Sequence, residues 1–417
     1  MSNKVAIIGG GASGFFTALR IAELNPQAEI KIFEATPGFL KKVRISGGGR
    51  CNVTHNLFGI SDFVRNYPRG SKELRSPFMQ FQASDTIEWF KKRGIEIVAE
   101  ADGRMFPKTN SSETIINCFI KEAEHYNIKT LSKHNIESIE KKGSSFLINI
   151  RNENSYAADQ VVVATGSSPT GYRFAKSLGH TITDLAPSLF SFKISDALLI
   201  DRAGTSFKNT KLRLKILDDT PSKNKGFKQE GPLLITHWGL SGPAILKLSA
   251  WAAREFKTAN YKAHLFVNWL GLNSLEDTIS LLSGLKEDNP KTSIKNAYPR
   301  ELSKSFWERL LSVLEINSDL KYSEASKKTL YKIADALFSY KFEVDGKNRY
   351  KDEFVECGGV KLKEVNFKTM ESKITPNLFF TGEVLDVDGI TGGFNFQNAW
   401  TTGWLAGSEI AKRSPSN

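Results

Sequence analysis

The sequence predicts an α/β fold with a central parallel sheet and a β-meander, followed in the middle of the chain by a β-barrel-like and a helical region. Three observations support this prediction. A strand–glycine turn–helix–strand unit opens the chain, a buried strand at residues 161–163 runs into a second glycine turn, and a third glycine-rich stretch leads into the last helix. Between them, residues 191–265 read as short strands separated by turns, and residues 274–340 are largely helical.

The opening unit, residues 4–34, has the order that dinucleotide binding requires. A β-branched run at residues 5–8 is typical of a buried parallel strand, and the helical pattern that follows extends to Leu24, where an Asn-Pro pair ends it. A second strand covers residues 29–33. The turn between the first strand and the helix reads G-x-G-x-x-G.

Each glycine of this motif has a physical task. Gly9 makes the tight turn, Gly11 lets the backbone approach a pyrophosphate, and Gly14 lets the helix pack closely on the strand. The helix N-terminus presents N–H groups and the positive end of its dipole to the phosphates. Glu34, twenty residues after Gly14, would accept hydrogen bonds from a ribose diol and disfavours a 2′-phosphate. A glycine-rich turn in another α/β unit is the alternative, and the spacing favours dinucleotide binding.

The composition is that of an ordinary globular chain. Apolar residues make up 40% and charged residues 24%, and the length of 417 residues predicts two or three domains. Because no apolar run reaches the ~18 residues of a membrane helix and the first strand begins at residue 4, we expect a cytoplasmic protein without a membrane segment. The three cysteines are far apart and form no C-x-x-C pair, which argues against a disulfide framework, a zinc site and a redox dithiol.

The net charge of +12 is unevenly distributed. Residues 1–190 carry 24 basic and 18 acidic residues, residues 191–350 carry 26 and 18, and residues 351–417 carry 7 and 9. One short stretch of the middle region holds seven basic residues: Lys208, Lys211, Arg213, Lys215, Lys223, Lys225 and Lys228. Such a stretch is either a solvated surface or an electrostatic contact for a polyanion such as RNA.

A second glycine-rich stretch, residues 46–52, has neither strand nor helix periodicity. Its three consecutive glycines, 47–49, predict backbone that lies against a flat or anionic group. Arg50 and Asn52 are placed to hydrogen-bond phosphate or ring edges, and a flexible surface loop is the alternative. Cys51 has no resolving cysteine nearby, so packing is favoured over redox chemistry.

Regular elements follow this stretch. Residues 85–92 and 114–126 predict helices, with a hairpin between them. Three short strands, 129–131, 136–139 and 146–150, predict an antiparallel meander.

The middle region contains the strongest acid–base candidate, His237. It precedes a segment in which Ser241 as N-cap and Pro243 in the first turn predict the start of a helix. A single histidine is more often structural than catalytic, and both readings stay open. Cys51 and Arg104 are weaker catalytic candidates, since Arg104 could equally be a surface ion-pair partner.

The C-terminal stretch, residues 377–399, is the second informative part of the chain. An apolar strand ends at Gly382-Glu383, and a loop with three glycines enters a final helix at about residues 395–412. Gly403 and Gly407 lie on one face of that helix, so it can pack closely on a neighbour.

The G-x-G-x-x-G with Glu34, an A-T-G turn at residues 164–166 and T-G-E at residues 381–383 resemble flavoproteins with a glutathione-reductase-like FAD fold. The motifs SGGGRCNVTH, GRMFPK, THWGLSGPAILKLS and TGEVLDVDGITGGFNFQNAW are more specific. They resemble the bacterial BaiN/YhiN-like family of aminoacetone-oxidase-like FAD-dependent oxidoreductases, nearly from end to end. One departure is Gly166-Ser167-Ser168, where a further glycine is commoner in the family.

The resemblance implies a Rossmann-like FAD-binding domain made from both ends of the chain, with a β-barrel-like and helical substrate region inserted. The boundaries that we expect are an FAD-binding domain at 1–190 and 356–417, a β-barrel-like domain at 191–265, a helical subdomain at 266–338 and return strands at 339–355. The resemblance also implies that Glu383 bonds the ribityl chain. The loop from Asp388 to Phe394 and the start of the last helix would face the pyrimidine end of the flavin.

The predicted FAD-binding residues come from both ends of the chain: Gly9, Gly11, Ala12, Ser13, Gly14, Glu34, Lys42, Ser46, Gly47, Gly48, Gly49, Arg50, Asn52, Ile136, Thr165, Gly166, Gly382, Glu383, Asp388, Gly392, Gly393, Phe394 and Asn395. Flavin reduction leaves negative charge near N1, which a helix N-terminus at Asn395 would stabilise. No metal site is predicted.

The predicted activity is that of an FAD-dependent oxidoreductase that transfers hydride through flavin N5. One hypothesis for the substrate is a small amine, ketone or enone. The other is a base of ribosomal RNA, such as uridine reduced to dihydrouridine, which the basic charge favours. A flavin-bearing binding protein is the non-enzymatic alternative. Since no second G-x-G-x-x-G follows a strand, NAD(P)H as reductant would visit the flavin face transiently, and the lack of a C-x4-C pair excludes disulfide reduction.

Overall fold

The computed structural model describes residues 3–217, 226–348 and 355–413. The strands of these residues, numbered in chain order, are β1 Lys4–Ile8, β2 Glu29–Glu34, β3 Thr54–His55, β4 Ile97–Ala99, β5 Arg104–Pro107, β6 Lys129–Ser132, β7 Ile136–Lys142, β8 Ser145–Ile150, β9 Tyr156–Ala158, β10 Gln160–Val163, β11 Ala186–Ser188, β12 Phe192–Lys193, β13 Ser206–Ile216, β14 Phe227–Thr236, β15 Gly239–Ser241, β16 Lys262–Asn268, β17 Tyr340–Asp345, β18 Val355–Cys357, β19 Val365–Asn366, β20 Glu371–Ser372 and β21 Leu378–Phe380. The α-helices are α1 Ala12–Leu24, α2 Lys41–Gly49, α3 Ile60–Val64, α4 Arg75–Gln80, α5 Ala83–Lys91, α6 Ser112–His125, α7 Pro169–Ser177, α8 Pro243–Trp251, α9 Ala253–Thr258, α10 Leu275–Asp288, α11 Lys304–Val313, α12 Lys327–Ser339 and α13 Phe394–Ile410. In the described ranges, no helix has the length and apolar character needed to cross a bilayer.

The chain divides into two compact units. Met1–Ala186 and Val355–Asn417 form one, which we call the terminal unit, and Pro187–Phe354 forms the other, the inserted unit. The finer division of the inserted segment that the sequence predicts, at residues 265/266 and 338/339, stays a prediction. Residues 349–354 of the predicted return strands lie outside the described residues.

A seven-stranded sheet forms the centre of the terminal unit, in the order β19-β20-β21-β10-β1-β2-β6. β1 pairs in parallel with β2 and β10, and β21 pairs in parallel with β10. Val5, Ala6 and Ile7 of β1 are fully buried, as expected for the middle of a parallel sheet. The predicted α/β fold with a central parallel sheet is therefore confirmed.

The meander differs from the predicted one. It consists of β7, β8 and β9, each antiparallel to the next. The predicted first strand, residues 129–131, instead lies in the central sheet as β6, parallel to β2. The connection from β2 to β6 contains α6, and such a helical crossover returns the chain parallel to its starting strand.

A six-stranded antiparallel sheet, in the order β12-β15-β14-β13-β16-β17, organises the inserted unit. Its two ends meet where Phe192 of β12 forms an isolated bridge with Lys347, two residues beyond β17. The sheet therefore closes on itself, as in a small barrel. Its inward side chains share one core with α8 and with α10, α11 and α12, while the other face of β13 carries exposed side chains.

The start of α8 corrects a predicted helix cap. Ser241 ends β15, and its hydroxyl lies 2.6 Å from that of Ser191. The N-cap is Gly242, which has a φ of +97° that favours glycine. Pro243 opens the helix as predicted. The prediction of Ser241 as the cap is therefore wrong, because Ser241 pairs with Leu234 in the sheet and the helix begins after it.

Candidate FAD site

The glycine turn between β1 and α1 has the shape of a phosphate-binding turn. A Cβ at Gly9 would lie 2.4 Å from the carbonyl oxygen of Ala164, and a Cβ at Gly14 would lie 2.1 Å from that of Gly9. Both positions therefore require glycine for the packing of the protein itself. A Cβ at Gly11, in contrast, would meet no atom of the described residues within 4 Å. The backbone at Gly11 faces open space, as close approach to a pyrophosphate requires.

Helix α1 begins without a side-chain cap. Its N-cap is Gly11, and no side chain accepts a hydrogen bond from its first turn. The backbone N–H groups of Ala12 and Ser13 are therefore presented to an anion at the positive end of the helix dipole. The Ser13 hydroxyl points into the protein, where it donates to the carbonyl oxygen of Thr381 at 3.3 Å. Ser13 can thus contribute only its backbone to phosphate binding.

Glu34 is oriented at the end of β2. Its Oε2 accepts a hydrogen bond from the N–H of Gly10 at 3.0 Å, and its Oε1 accepts from the N–H and the hydroxyl of Thr36 at 2.8 and 2.6 Å. Because a carboxylate offers about four lone-pair positions, these bonds fix its direction and leave capacity for a ribose hydroxyl.

The turn at residues 47–49 also borders open space. Its glycines have φ values of +58°, +68° and +84°, which favour glycine. The helical path of α2 breaks at Ser46, whose hydroxyl donates to the carbonyl oxygen of Val43 at 2.9 Å. In the part of the chain that the structure describes, no atom lies within 4 Å of where a Cβ at Gly48 or Gly49 would be. This geometry fits the predicted contact with a flat or anionic group.

Arg50 and Arg104 belong to one ion-pair cluster. Arg50 donates to Glu100 at 2.6 Å and lies 3.9 Å from the ring centroid of Phe106. Arg104 donates to Glu100 at 3.0 Å and to Asp102 at 2.7 Å. Since both carboxylate partners of Arg104 hold it in place, the structure favours the ion-pair reading of this residue over the catalytic one.

Cys51 is unsuited to nucleophilic chemistry. Its side chain is fully buried, and burial raises the pKa of the thiol to about 12, although a hydrogen bond with Ser46 lowers it. A thiol that stays protonated near neutral pH is not a nucleophile. The residue has a φ of +62° at the end of the glycine turn, so packing is the role that fits.

Side-chain contacts with Arg69 and within the loop hold the loop before α13 in place. The Asp388 carboxylate, which is fully buried, forms two hydrogen bonds with the Arg69 guanidinium, one of them 2.5 Å long. The Asn395 side chain both donates to the carbonyl oxygen of Gly389 and accepts from its N–H, each at 2.8 Å. Asp388 and Asn395 are predicted FAD-binding residues, and these contacts already engage both side chains. The backbone of Asp388 is paired as well, in an isolated antiparallel bridge with Arg69.

Helix α13 begins at Phe394, one residue before the predicted start, with Gly393 as N-cap and no side-chain cap. A Cβ at Gly393 would lie 2.4 Å from the carbonyl oxygen of Thr54. In the amide orientation that its surroundings favour, Asn52 accepts a hydrogen bond from the N–H of Gly393 at 3.0 Å. The start of α13 therefore adjoins the segment that follows the glycine turn at residues 47–49. Its uncapped N–H groups can stabilise negative charge.

His55 is a residue of this site that the sequence reasoning missed. Its ring stacks on that of Phe394, with centroids 4.9 Å apart and an interplanar angle of 18°. A Cβ at Gly103 or Gly392 would lie 2.4 or 3.3 Å from atoms of the same ring. The sequence feature that could have identified His55 is its position as the last residue of the motif SGGGRCNVTH.

Glu383 lies beside the turn that follows β10. Its Oε2 accepts from the Lys42 ammonium at 2.5 Å, and its Oε1 accepts from the N–H of Glu356 at 3.2 Å. Lys42 also donates to the hydroxyl of Ser167 at 3.0 Å. A Cβ at Gly166 would lie 3.5 Å from Glu383 Oε2. The structure thus brings together Lys42, Gly166 and Glu383, all predicted from distant parts of the chain.

Three other predicted residues have local surroundings of their own. Ile136 is buried in the meander, where it pairs with Ile150. The hydroxyl of Thr165 is buried and has no hydrogen-bond partner among the described residues. His237 is exposed in the turn between β14 and β15 of the inserted unit, with its ring edge-on to that of Trp238.

A separate groove of about 880 Å³ lies between α1, α5, α6 and α13, and none of the predicted site residues lines it. Arg93, on its wall, donates to Glu122 at 2.8 Å and lies 3.6 Å from the ring centroid of Trp89. Arg93 and Glu122 are thus paired with each other in the wall of the groove. Across the residues that the structure describes, no cluster of His, Cys, Asp and Glu could hold a metal ion.

The family model of the HI0933-like protein Rossmann domain matches residues 3–409. The chain belongs to this family. The HI0933-like chain is 27% identical to the 3-dehydro-bile acid delta(4,6)-reductase of Clostridium scindens over 99% of its own length and 100% of that protein. It is also 27% identical to the ribosomal RNA dihydrouridine synthase of Escherichia coli, over 97% of each chain.

A solved structure with a similar fold is the 3-ketosteroid delta1-dehydrogenase of Sterolibacterium denitrificans in complex with 1,4-androstadiene-3,17-dione. The TM-score is 0.51 at 12% identity, over 99% of this chain and 100% of that one. At this identity the likeness concerns the fold alone. The family match confirms the predicted family and the prediction of an FAD-dependent oxidoreductase, and the open glycine turns of the terminal unit fit FAD as its cofactor.

Proposed function

We propose that this HI0933-like protein reduces a carbon–carbon double bond conjugated to a carbonyl group. The proposal rests on the chemistry that the two full-length relatives share by name. One reduces a bile acid at its delta(4,6) positions, and the other makes dihydrouridine, which is uridine with a saturated C5–C6 bond. Both reactions add hydrogen across a double bond that a carbonyl polarises. Of the predicted small substrates, an enone fits this chemistry and an amine does not.

The terminal unit offers one set of groups for each part of FAD. The open backbone at Gly11 and the first turn of α1 would bind the pyrophosphate. Glu34 would bind the ribose, and the ion pair of Lys42 with Glu383 would bind the ribityl chain. The open turn at residues 47–49 would lie against the ring system.

Bound FAD would supply the hydride, which adds to the carbon β to the carbonyl. The chain must then deliver a proton to the α-carbon and stabilise the negative charge that develops. The uncapped N-terminus of α13 could stabilise this negative charge with its N–H groups and the positive end of its dipole. We propose His237 as the proton donor, with His55, stacked at the start of α13, as the second candidate. NAD(P)H remains the proposed source of the hydride that reduces the flavin.

The test is an anaerobic two-step titration of the purified protein. NADH or NADPH is added until the yellow flavin absorbance bleaches, and a conjugated acceptor such as 2-cyclohexenone or a uridine-containing ribosomal RNA transcript is then added. We expect the acceptor to restore the colour while its double bond is lost. The matched controls are saturated compounds: cyclohexanone and transcript that contains dihydrouridine. If the acceptors leave the flavin bleached, or if an amine bleaches it, the proposal is wrong.

The two histidines can be separated in the same titration. Replacing the true donor with glutamine should slow the return of colour at least about tenfold, because general acid catalysis contributes on the order of 10²–10⁴ in rate. It should leave the bleaching step unchanged. His55→Gln and His237→Gln are compared with His125→Gln, an exposed position on α6. Equal rates in all three variants would exclude both candidates.

The RNA form of this reaction is the second candidate, and the charge distribution favours it. The described part of the inserted unit carries most of the basic stretch that the sequence predicts, and Lys208, Lys211, Arg213 and Lys215 all lie on β13. Lys223 and Lys225 of the stretch lie outside the described residues. If the substrate is RNA, replacing Lys211, Arg213 and Lys215 with glutamate should abolish the return of colour by transcript and leave that by 2-cyclohexenone intact.

A further inference from the structure

The solvent-facing side of the inserted sheet carries a row of side chains that joins two residues of the basic stretch, Arg213 and Lys228, to residues outside it. Lys228 of β14 pairs with Arg213 of β13, Arg213 pairs with Phe266 of β16, and Phe266 pairs with Lys341 of β17. Because paired residues of adjacent strands point to the same face, these four side chains form one continuous line. At about 4.8 Å between strands, the line is about 14 Å long. We call it the cationic row.

A second line of cations crosses the row along β13. Lys211, Arg213 and Lys215 point outward, because Leu212 and Leu214 between them are buried in the core. Alternate residues of a strand lie about 7 Å apart. The two lines intersect at Arg213, so positive charge extends in both directions over the face.

The acidic residues of this face lie outside the row. Glu230 is opposite Lys211, Glu343 is opposite His264, and Asp345 is opposite Lys262. The outward basic residues of the four strands are more numerous: Lys208, Lys211, Arg213, Lys215, Lys228, Lys262 and Lys341. Among the described residues, the three acidic side chains therefore lie opposite residues beside the row, and no residue directly opposite Arg213, Lys228 or Lys341 in the register is acidic. The positive charge of the row can attract an anion.

Phe266 supports the arginine at the centre. The guanidinium carbon of Arg213 lies 4.2 Å from the ring centroid of Phe266, in a cation–π contact. A guanidinium group held over a sheet can bond phosphates and stack on bases. A bilayer would require apolar side chains that insert into it, whereas Phe266 is half-buried beneath the arginine. The chemistry of the row matches RNA better than a lipid surface.

We propose that the outer face of the inserted sheet is an RNA-binding surface centred on the cationic row. The proposal rests on the RNA form of the proposed function and adds where the chain holds its partner. The contacts are mainly with phosphates, so they give affinity and position and leave base recognition to other residues.

The experiment measures binding of an unmodified ribosomal RNA transcript by fluorescence anisotropy at several salt concentrations. The row variant is Arg213→Glu, Lys228→Glu and Lys341→Glu. Its matched control is Lys291→Glu, Lys327→Glu and Lys328→Glu, which changes the charge equally at exposed positions outside the sheet. Each lost phosphate contact lowers the slope of log affinity against log salt by about 0.7–0.9. We expect the row variant to lose at least about tenfold in affinity and about 2 units of slope.

The control variant should stay within about threefold of the parent, since long-range charge alone is largely screened at physiological salt. Equal losses in the two variants would overturn the proposal, and so would a parent that does not bind the transcript. Binding of the parent to anionic lipid vesicles but not to transcript would also overturn it. The anaerobic titration with 2-cyclohexenone is run on the same proteins. Loss of that reaction with RNA binding intact counts against the proposed reductase and not against this surface.

Discussion

At the scale of single residues, the glycines separate what the fold needs from what a ligand needs. Gly9 and Gly14 are required because backbone oxygens lie 2.4 and 2.1 Å from where a Cβ would be. Gly11 has no such neighbour within 4 Å among the described residues. These residues alone would tolerate a side chain there, and the proposed pyrophosphate site accounts for the glycine.

Replacing Gly11 with valine should therefore yield a folded protein that lacks FAD. A clash worth about 1.4 kcal/mol already lowers affinity tenfold, and a valine in the space of the pyrophosphate costs more than that. Flavin content should fall to about a tenth of the parent's or less. The measurement is the flavin-to-protein absorbance ratio after purification.

Gly284→Val is the matched control for this change. A Cβ at Gly284, on α10 of the inserted unit, also meets nothing within 4 Å. This variant should keep its flavin. If Gly11→Val keeps full flavin content as well, the pyrophosphate is not bound at this turn.

The burial of His180 predicts that the stability of the terminal unit depends on pH. Its side chain is fully buried, with Nε2 2.9 Å from the hydroxyl of Ser372 and Nδ1 3.4 Å from the carboxylate of Glu364. Burial lowers the pKa of His180, although Glu364 raises it. The neutral ring is the form that the fold prefers. Its contribution to stability is complete above the unfolded pKa of about 6.5 and is lost as pH falls through the lower pKa of the folded state.

The free energy of unfolding should thus decrease between pH 7 and pH 5 more steeply in the parent than in His180→Gln. Urea denaturation at each pH measures it. His125→Gln, at an exposed position on α6, should follow the parent. Parallel pH profiles for the parent and His180→Gln would show that this histidine does not carry the effect.

At the scale of elements, helices α1 and α13 of the terminal unit pack closely on each other through two glycines of α13. A Cβ at Gly403 would lie 2.9 Å from the carbonyl oxygen of Ser13, and a Cβ at Gly407 would lie 2.8 Å from that of Thr17. The sequence predicted such packing from the four-residue spacing of the two glycines. The structure shows that α1 is the neighbour on which these two glycines pack.

Gly407→Ala should destabilise the protein by about 1–3 kcal/mol, because added methyl groups in a well-packed interface force the backbone apart. This loss is opposite in sign to the usual effect of the substitution, because alanine in a helix normally stabilises a protein by ~1 kcal/mol relative to glycine. Gly284→Ala on α10, where nothing opposes the methyl group, should show that usual gain. Urea denaturation compares the two. If both variants are more stable than the parent, the interface between α1 and α13 can accommodate an added methyl group, and the prediction is wrong.

Element types were easier to predict than element partners. The periodicity of residues 129–131 correctly indicated a strand, yet it could not say that β6 pairs with β2 in the parallel sheet instead of with the meander. Ser241 was predicted as a helix cap from its residue type, and its place in β15 overrode that preference. Both outcomes depend on distant strands, which local patterns do not contain.

At the scale of the whole molecule, the two ends of the chain form one sheet. β21 lies beside β10, and the carboxyl ends of both strands lead to the turn where Gly166 meets Glu383. Motifs predicted each of these residues, but only the family resemblance predicted that they come together. Motifs predicted Asp388 and Asn395 as FAD-binding residues, but they could not predict that the Asp388 side chain pairs with Arg69 and the Asn395 side chain with Gly389. The role of both residues in FAD binding stays a prediction.

Ending the chain at residue 354 should therefore abolish flavin binding. The truncation removes β19, β20 and β21 from the sheet and α13 from its contact with α1. Co-expression of residues 355–417 as a separate chain should restore part of the flavin content. A truncated protein that binds FAD as well as the full chain does would contradict the two-ended site.

The most direct test of the account is the identity and amount of the cofactor in the purified full-length chain. Heat release followed by chromatography should give FAD, at about one molecule per chain once the protein is saturated. A folded, colourless preparation that takes up no added FAD would contradict the central claim, whatever the substrate.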